Sequence, residues 1–182
     1  MTERDKMLSG QYYNSNDEEL IRDRDYAKKL MHEFNNTEPW EKEKKKEIIK
    51  KLIKAKGSFT INKTFYCDYG YNIEVGDNFY ANFACILLDV NKIKIGDNAL
   101  LGPNVQIYTA SHPTDSIKRL TGLEFGLPVT IGDNVWIGGG AIICPGVTIG
   151  NNVTIGAGSV VTKDIPDNVI AVGNPCMVIE QI

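Results

Sequence analysis

A comb of aliphatic residues spaced six apart, Ile131, Ile137, Ile143, Ile149, Ile155 and Val161, constrains this chain more than any other feature. A second row, Val135, Ala141, Val147, Val153 and Ser159, falls two residues before the next tooth, so each six-residue unit turns two small or aliphatic side chains inward. A helix repeats at about 3.6 residues and a strand at about 2, and neither sustains a beat of six. A parallel β-solenoid does: six residues form one short face and a corner, and three faces close a triangular coil. Each tooth then lands on its own kind in the next coil.

The corners carry turn chemistry. Gly76-Asp77-Asn78, Gly96-Asp97-Asn98, Gly132-Asp133-Asn134 and Gly150-Asn151-Asn152 each follow an aliphatic residue, and Gly and Asn tolerate the positive φ of tight corners. The comb recurs upstream as Ile73, Phe79 and Cys85, then Ile95, Leu101 and Ile107, with Val75, Ala81 and Leu87 as companions. The solenoid is therefore expected over about residues 58–178. Two interruptions break the beat, a lengthened coil between Val75 and Ile95 that contains Asp89, and a longer loop over 108–128. Interruptions in so regular a scaffold are where function is grafted.

The first 57 residues follow a helical period instead. Leu20, Ala27, Leu30, Met31 and Phe34 trace one face of a helix starting near Asp17, and Ile48, Ile49, Leu52 and Ile53 one face of a second helix after Pro39, with Lys42 to Lys51 as its wet face. The expected organisation is a helical segment, 1–57, and a mostly β solenoid, 58–182, with an inserted loop at 108–128. No apolar run is long enough to span a bilayer, and Met1 to Lys6 lacks the core of a secretory signal, so a cytoplasmic location is expected. The four cysteines match no paired zinc motif and read as packing residues. A net charge of −3 without a dense basic stripe beyond the N-terminal third argues against nucleic-acid binding. Small molecules and copies of the chain itself remain as partners.

Several longer stretches carry a resemblance. They are Tyr13 to Leu20 (YNSNDEEL), Phe65 to Gly70 (FYCDYG), Phe79 to Phe83 (FYANF), His112-Pro113, and Ile155 to Pro166 (IGAGSVVTKDIP). Over nearly its whole length the chain resembles the maltose and galactoside O-acetyltransferases, a branch of the left-handed β-helix acetyltransferases that use acetyl-CoA. The resemblance implies the left hand of the coil, since the general crossover rule favours the right. Fold alone does not give function, because other activities share this scaffold. The presence of only two histidines weighs against the β-helical carbonic anhydrases, whose zinc takes three protein ligands, so no metal is expected.

The implied chemistry rests on His112, placed where the comb breaks after Ile107, beside Pro113, which biases it toward extended backbone. Moving acetyl from a thioester to a sugar hydroxyl requires removal of the hydroxyl proton, which suits an imidazole of ordinary pKa about 6.5. His32, on the amphipathic helix, reads as structural. Glu124 matches a carboxylate of the maltose branch and is expected to orient His112. Asn82 matches an asparagine that donates to the acceptor or to the thioester oxygen.

Asp17 and Asp68 match acceptor-holding positions, although Asp17 also suits a helix N-cap. Aspartate at 68 favours maltose or glucose over galactosides. Asp89 either reaches the acceptor or belongs to an ordinary turn. For acetyl-CoA the resemblance maps an edge of the later coils to Gly139, Ala157, Thr162 and Lys163, with Trp136 lining the channel, although Gly138, Gly139 and Gly140 also read as corners. Met177 stands where many relatives carry an arginine toward the nucleotide phosphate. The implied mechanism is direct attack in a ternary complex, with all four cysteines dispensable, inside a homotrimer whose active sites lie between subunits. Two other readings share the scaffold, a xenobiotic or amine acetyltransferase and a non-catalytic binding module.

Overall fold

The computed structural model describes residues 1–182. The solenoid has three faces, each a parallel sheet. The first stacks Lys54–Ala55, Ile73–Val75, Ile93–Ile95, Val129–Ile131 and Thr148–Ile149. The second stacks Phe59–Ile61, Phe79–Ala81, Leu100–Leu101, Trp136–Ile137, Thr154–Ile155 and Val169–Val172. There the antiparallel strand Met177–Gln181 closes the end. The third stacks Phe65–Cys67, Cys85–Leu88, Gln106–Tyr108, Ile142–Ile143 and Val160–Val161. Registers match the comb: Ile95 pairs with Ile131 and Ile131 with Ile149, Ile107 with Ile143 and Ile143 with Val161. Every tooth and its companion row is buried. A fully buried isoleucine contributes about 2 kcal/mol relative to exposure, so the column supplies most of the driving force.

The corners divide the labour differently from the expectation that Gly and Asn share the positive φ. In each Gly-Asp-Asn corner the left-handed residue is the asparagine, with φ of 54°, 57° and 58° at Asn78, Asn98 and Asn134, and 55° at Asn152. The glycine is needed for contact between coils, since a Cβ on Gly96 would sit 2.2 Å from Asp133 Oδ1 and one on Gly132 2.6 Å from Asn151 Oδ1. Those carboxylate and amide oxygens accept the backbone N–H of the residue after each glycine, Asp97 N to Asp133 and Asp133 N to Asn151, both at 2.8 Å. The asparagines form a ladder of amide hydrogen bonds from Asn78 through Asn98, Asn134 and Asn152 to Asn168, at 2.8–3.0 Å. One corner column is thus both turn and coil-to-coil fastener.

At the N-terminus lie three helices, α1 (Glu3–Leu8), α2 (Glu18–Asn36) and α3 (Lys42–Leu52). The latter two bury the residues that their period marks, α2 with Asp17 as N-cap. The short α1, closed by a Thr2/Asp5 capping box, has too few residues to show a period. The boundary at residue 57 is blurred, because Lys54–Ala55 already pairs with Glu74–Val75 as the first solenoid strand. One cluster of 38 buried residues runs from Ala27 and Phe34 through Ile48 and Leu52 into every coil. The helices therefore plug the open end of the solenoid and share its core. No helix is long and apolar enough to cross a membrane.

Candidate active site

The coil-to-coil spacing doubles at the inserted loop, since Ile95 stacks on Ile131, and the extra chain leaves and re-enters along one edge. It is folded: Ala110–Ser111 pairs antiparallel with Leu123–Gly126, a short helix α4 (Ser116–Arg119) lies between them, and Leu123–Glu124 pairs in turn with Tyr13–Asn14. Across this ribbon Tyr13 is opposite Glu124 and Ser111 opposite Phe125, and His112 is the first residue beyond the paired Ala110–Ser111 segment. Tyr12 packs edge-on against Phe125, with ring centroids 5.3 Å apart, and the Lys118 ammonium sits 3.7 Å over the Tyr12 ring. Arg119 donates to the carbonyls of Pro113 and Thr114, tying down the segment that follows His112.

Beneath the ribbon lies a second small core, Met7, Tyr13, Leu20, Tyr69 and Val90. The buried Asn91 side chain joins α1 to the ribbon by donating to the carbonyls of Met7 and Gly126 at 3.2 and 2.9 Å. This base fixes a polar constellation. Tyr13 Oη and Ser15 Oγ donate to the two oxygens of Glu124 at 2.9 and 3.0 Å. Arg24 donates to Tyr69 Oη at 2.7 Å and to the Ser15 carbonyl at 2.6 Å. Asp68 stands beside this group. Burial, then the neighbouring Glu124 carboxylate, pushes its pKa up to about 6, against the opposing pull of Arg24 and Lys28.

The sequence-based candidates take distinct places. His112 is exposed and its side chain makes no hydrogen bond within the chain; the expected His112–Glu124 pair is not formed there, and the Glu124 oxygens accept from Tyr13 and Ser15 instead. Asp17 caps α2 by accepting from Glu19 N at 3.0 Å. Asn82 uses its amide oxygen for Phe83 N at 2.8 Å in its own corner, so it offers the NH₂ group outward. Asp89 does not reach an acceptor. It is fully buried and its carboxylate accepts the N–H groups of Asp68, Tyr69 and Asn72 at 3.0, 2.9 and 3.2 Å. Burial pushes it up to about 7 despite those bonds. Its role is to hold the backbone that carries Asp68. His32 lies on the surface beside Asn36, 3.3 Å away.

The five cofactor candidates do not share one edge. Gly139 and Ala157 lie on the corner between the second and third faces, with the exposed Trp136 leading into it from the second. Thr162 and Lys163 follow Val161 on the far side of the third face, so the five bracket the strip made by Ile142 and Val160. Glycine is demanded there by stacking, since a Cβ on Gly138 would meet Ala157 N at 2.5 Å and one on Gly102 would meet Gly139 N at 2.6 Å. Met177 is exposed on the closing strand. Tyr13, Ser15, Arg24 and Tyr69 escape sequence reasoning as site residues. The signal available was that Tyr13 and Ser15 lie in the Tyr13 to Leu20 stretch and Tyr69 in the Phe65 to Gly70 stretch.

A three-faced parallel solenoid of six-residue units with N-terminal helices is the architecture of hexapeptide-repeat acetyltransferases, and this chain is of that class. Family models for the maltose acetyltransferase hexapeptide capping motif and for the bacterial transferase hexapeptide (six repeats) match residues 6–57 and 128–163. The chain is 45% identical over 183 residues to the galactoside O-acetyltransferase of Escherichia coli K12, covering 100% of this chain and 89% of that one. Its structure superposes with a TM-score of 0.99 on a maltose O-acetyltransferase from Clostridium difficile 630, at 61% identity and with 100% and 98% of the two chains covered. A galactoside acetyltransferase in complex with coenzyme A gives a TM-score of 0.97 at 43% identity, covering 100% and 92%. The chain belongs to the maltose and galactoside O-acetyltransferase family of hexapeptide-repeat acetyltransferases.

Proposed function

We propose that this acetyltransferase moves the acetyl group of acetyl-CoA to a hydroxyl of a maltose- or glucose-type sugar, with His112 as general base. The observation that supports the reading is the folded-back ribbon, in which Glu124 pairs with Tyr13, accepts from Tyr13 and Ser15 and lies near enough to Asp68 to raise its pKa, while His112 follows the paired Ala110–Ser111 segment directly. Sugar hydroxyls donate to carboxylates, and Asp68 and Glu124 supply two, held by Tyr13, Ser15 and the Asp89-anchored turn. In the step itself the acceptor oxygen attacks the thioester carbonyl carbon while His112 takes its proton. The C–S bond breaks, and the imidazolium returns the proton to the departing thiolate. The Asn82 amide donates to the acceptor or to the charge growing on the carbonyl oxygen.

The galactoside acetyltransferase solved in complex with coenzyme A supports the cofactor assignment, in which Trp136, Gly139, Ala157, Thr162 and Lys163 would contact the cofactor. The unevenness of the outer surface supports assembly into a homotrimer. The first face turns Lys54, Glu74, Lys94, Thr130 and Thr148 outward, whereas the third turns out Tyr66, Ile86, Gln106, Ile142 and Val160. Ile117 on α4 and Leu120 at its C-terminal cap are 78% and 88% exposed and would offer aliphatic contacts to a neighbouring subunit. His112 would then meet its acceptor in a shared site.

The test is thiol release from acetyl-CoA with maltose, glucose, a galactoside and an amine-bearing antibiotic as acceptors, using wild type and His112→Ala. Turnover of maltose or glucose that the variant loses while keeping its assembly and melting temperature is expected. Faster turnover of the amine, or an undiminished rate in the variant, overturns the reading.

A further inference from the structure

Positive charge is concentrated in one short stretch of this acidic protein. Residues 42–63 hold nine lysines against two glutamates, a net of +7 in a chain whose total is −3. Three of the lysines on α3 are paired with a glutamate three residues earlier, Lys44 with Glu41, Lys46 with Glu43 and Lys50 with Glu47. Lys42 and Lys45 enter no ion pair, and both line a cleft of about 300 Å³ between α3 and the first coil. Its floor is apolar, with Phe34, Ile49 and Phe59, and no carboxylate lines it. Lys45 lies 5.5 Å from the centroid of the Phe34 ring. Burial, and then the charge of Lys63, hold its pKa below the ordinary lysine value. Lys42 opens α3, whose cap residue Glu41 makes no side-chain cap hydrogen bond.

A solvated lysine face would sit over open water. Here three ammonium groups, those of Lys42 and Lys45 unpaired and that of Lys46 shared with Glu43, gather at the rim of an apolar hollow, and mutual repulsion among them is relieved by an anion. We propose that this cleft binds a small organic anion, a phosphate monoester with an aromatic or short aliphatic body, its charge on Lys42, Lys45 and Lys46 and its body on Phe34, Ile49 and Phe59. The site lies at the plugged end of the solenoid, lined by no residue of the acceptor constellation or of the coenzyme A candidates. It is independent of the acceptor assignment.

Calorimetric titration of the full chain with phenyl phosphate, inorganic phosphate and phenol, each with and without saturating coenzyme A, tests the proposal. Phenyl phosphate is expected to bind about tenfold more tightly than either fragment, because only it uses both floor and rim. Its binding should survive coenzyme A, and Lys45→Gln should weaken it by about fivefold, the upper range for one part-exposed charge pair, with acetyl transfer and melting temperature unchanged. Equal binding of phenyl phosphate and inorganic phosphate would reduce the site to diffuse charge and overturn the proposal. Displacement by coenzyme A, or indifference to Lys45→Gln, would place the ligand elsewhere and overturn it too.

Discussion

Replacing Asp68 by asparagine should make the protein more stable and a poorer enzyme. Asp68 has an ordinary value of 3.8 that burial and Glu124 raise to about 6. A raised carboxylate pKa means that the folded state binds the proton more tightly than the unfolded one. Stability therefore falls as pH rises from about 4 to about 6, and the full penalty is present at pH 7. A shift of about two units corresponds to about 3 kcal/mol, and screening at this part-exposed group leaves about 1–2 kcal/mol as the expected gain in Asp68→Asn at neutral pH. Below pH 4 wild type and variant should coincide. Asp89, raised to about 7, contributes in an overlapping window, but it is common to both proteins and largely cancels in the difference. The gain is offset in function, because losing a charged acceptor of hydroxyl hydrogen bonds should raise the sugar KM about tenfold or more, with the acetyl-CoA KM unmoved. Urea denaturation of both proteins at pH 4, 5, 6 and 7, beside steady-state kinetics with maltose, reads both effects. A variant less stable at pH 7, or a stability difference that does not change between pH 4 and 6, would refute the electrostatic account of this site.

Tyr13→Phe removes one bond to Glu124 without opening a cavity, since the ring is fully buried; about 1.5–3 kcal/mol of support for that carboxylate goes, read as a raised sugar KM that Ser15→Ala deepens. Gly132→Ala should destabilise by about 1–3 kcal/mol, because its Cβ meets Asn151 Oδ1 at 2.6 Å and Gly150 backbone at 2.8 Å. Gly140→Ala, open in space but at φ 71°, should cost only about 1 kcal/mol for its left-handed backbone; equal losses in thermal melts would contradict the close-approach account. Burial raises all four thiols, Cys85 to about 11, and the least buried, Cys144, should be the first alkylated at neutral pH. Acetyl transfer by Cys144→Ser at the wild-type rate is the expected outcome.

Much of this protein is legible by counting. A period of six is a local property, and each tooth reports its own orientation, so Ile131 to Val161 and their companions show the inward rows, the coil and the place where it breaks. The helix periods likewise mark which faces of α2 and α3 turn inward. The site is less legible for the same reason. Tyr13 and Glu124 are 111 residues apart and meet only because the inserted loop folds back as a ribbon over α1. Asp89 looks from its neighbours like a turn residue or a ligand, and only burial against the Asp68 backbone makes it an anchor. Gly132 and Asn134 look interchangeable as corner formers, yet one answers to the coil stacked beside it and the other to its own φ. By itself the sequence determined the repeat, the inward rows and the residues chemically able to act. The tertiary structure alone decided which of them stand together, because contact between distant segments depends on how the three faces close and where the loop returns.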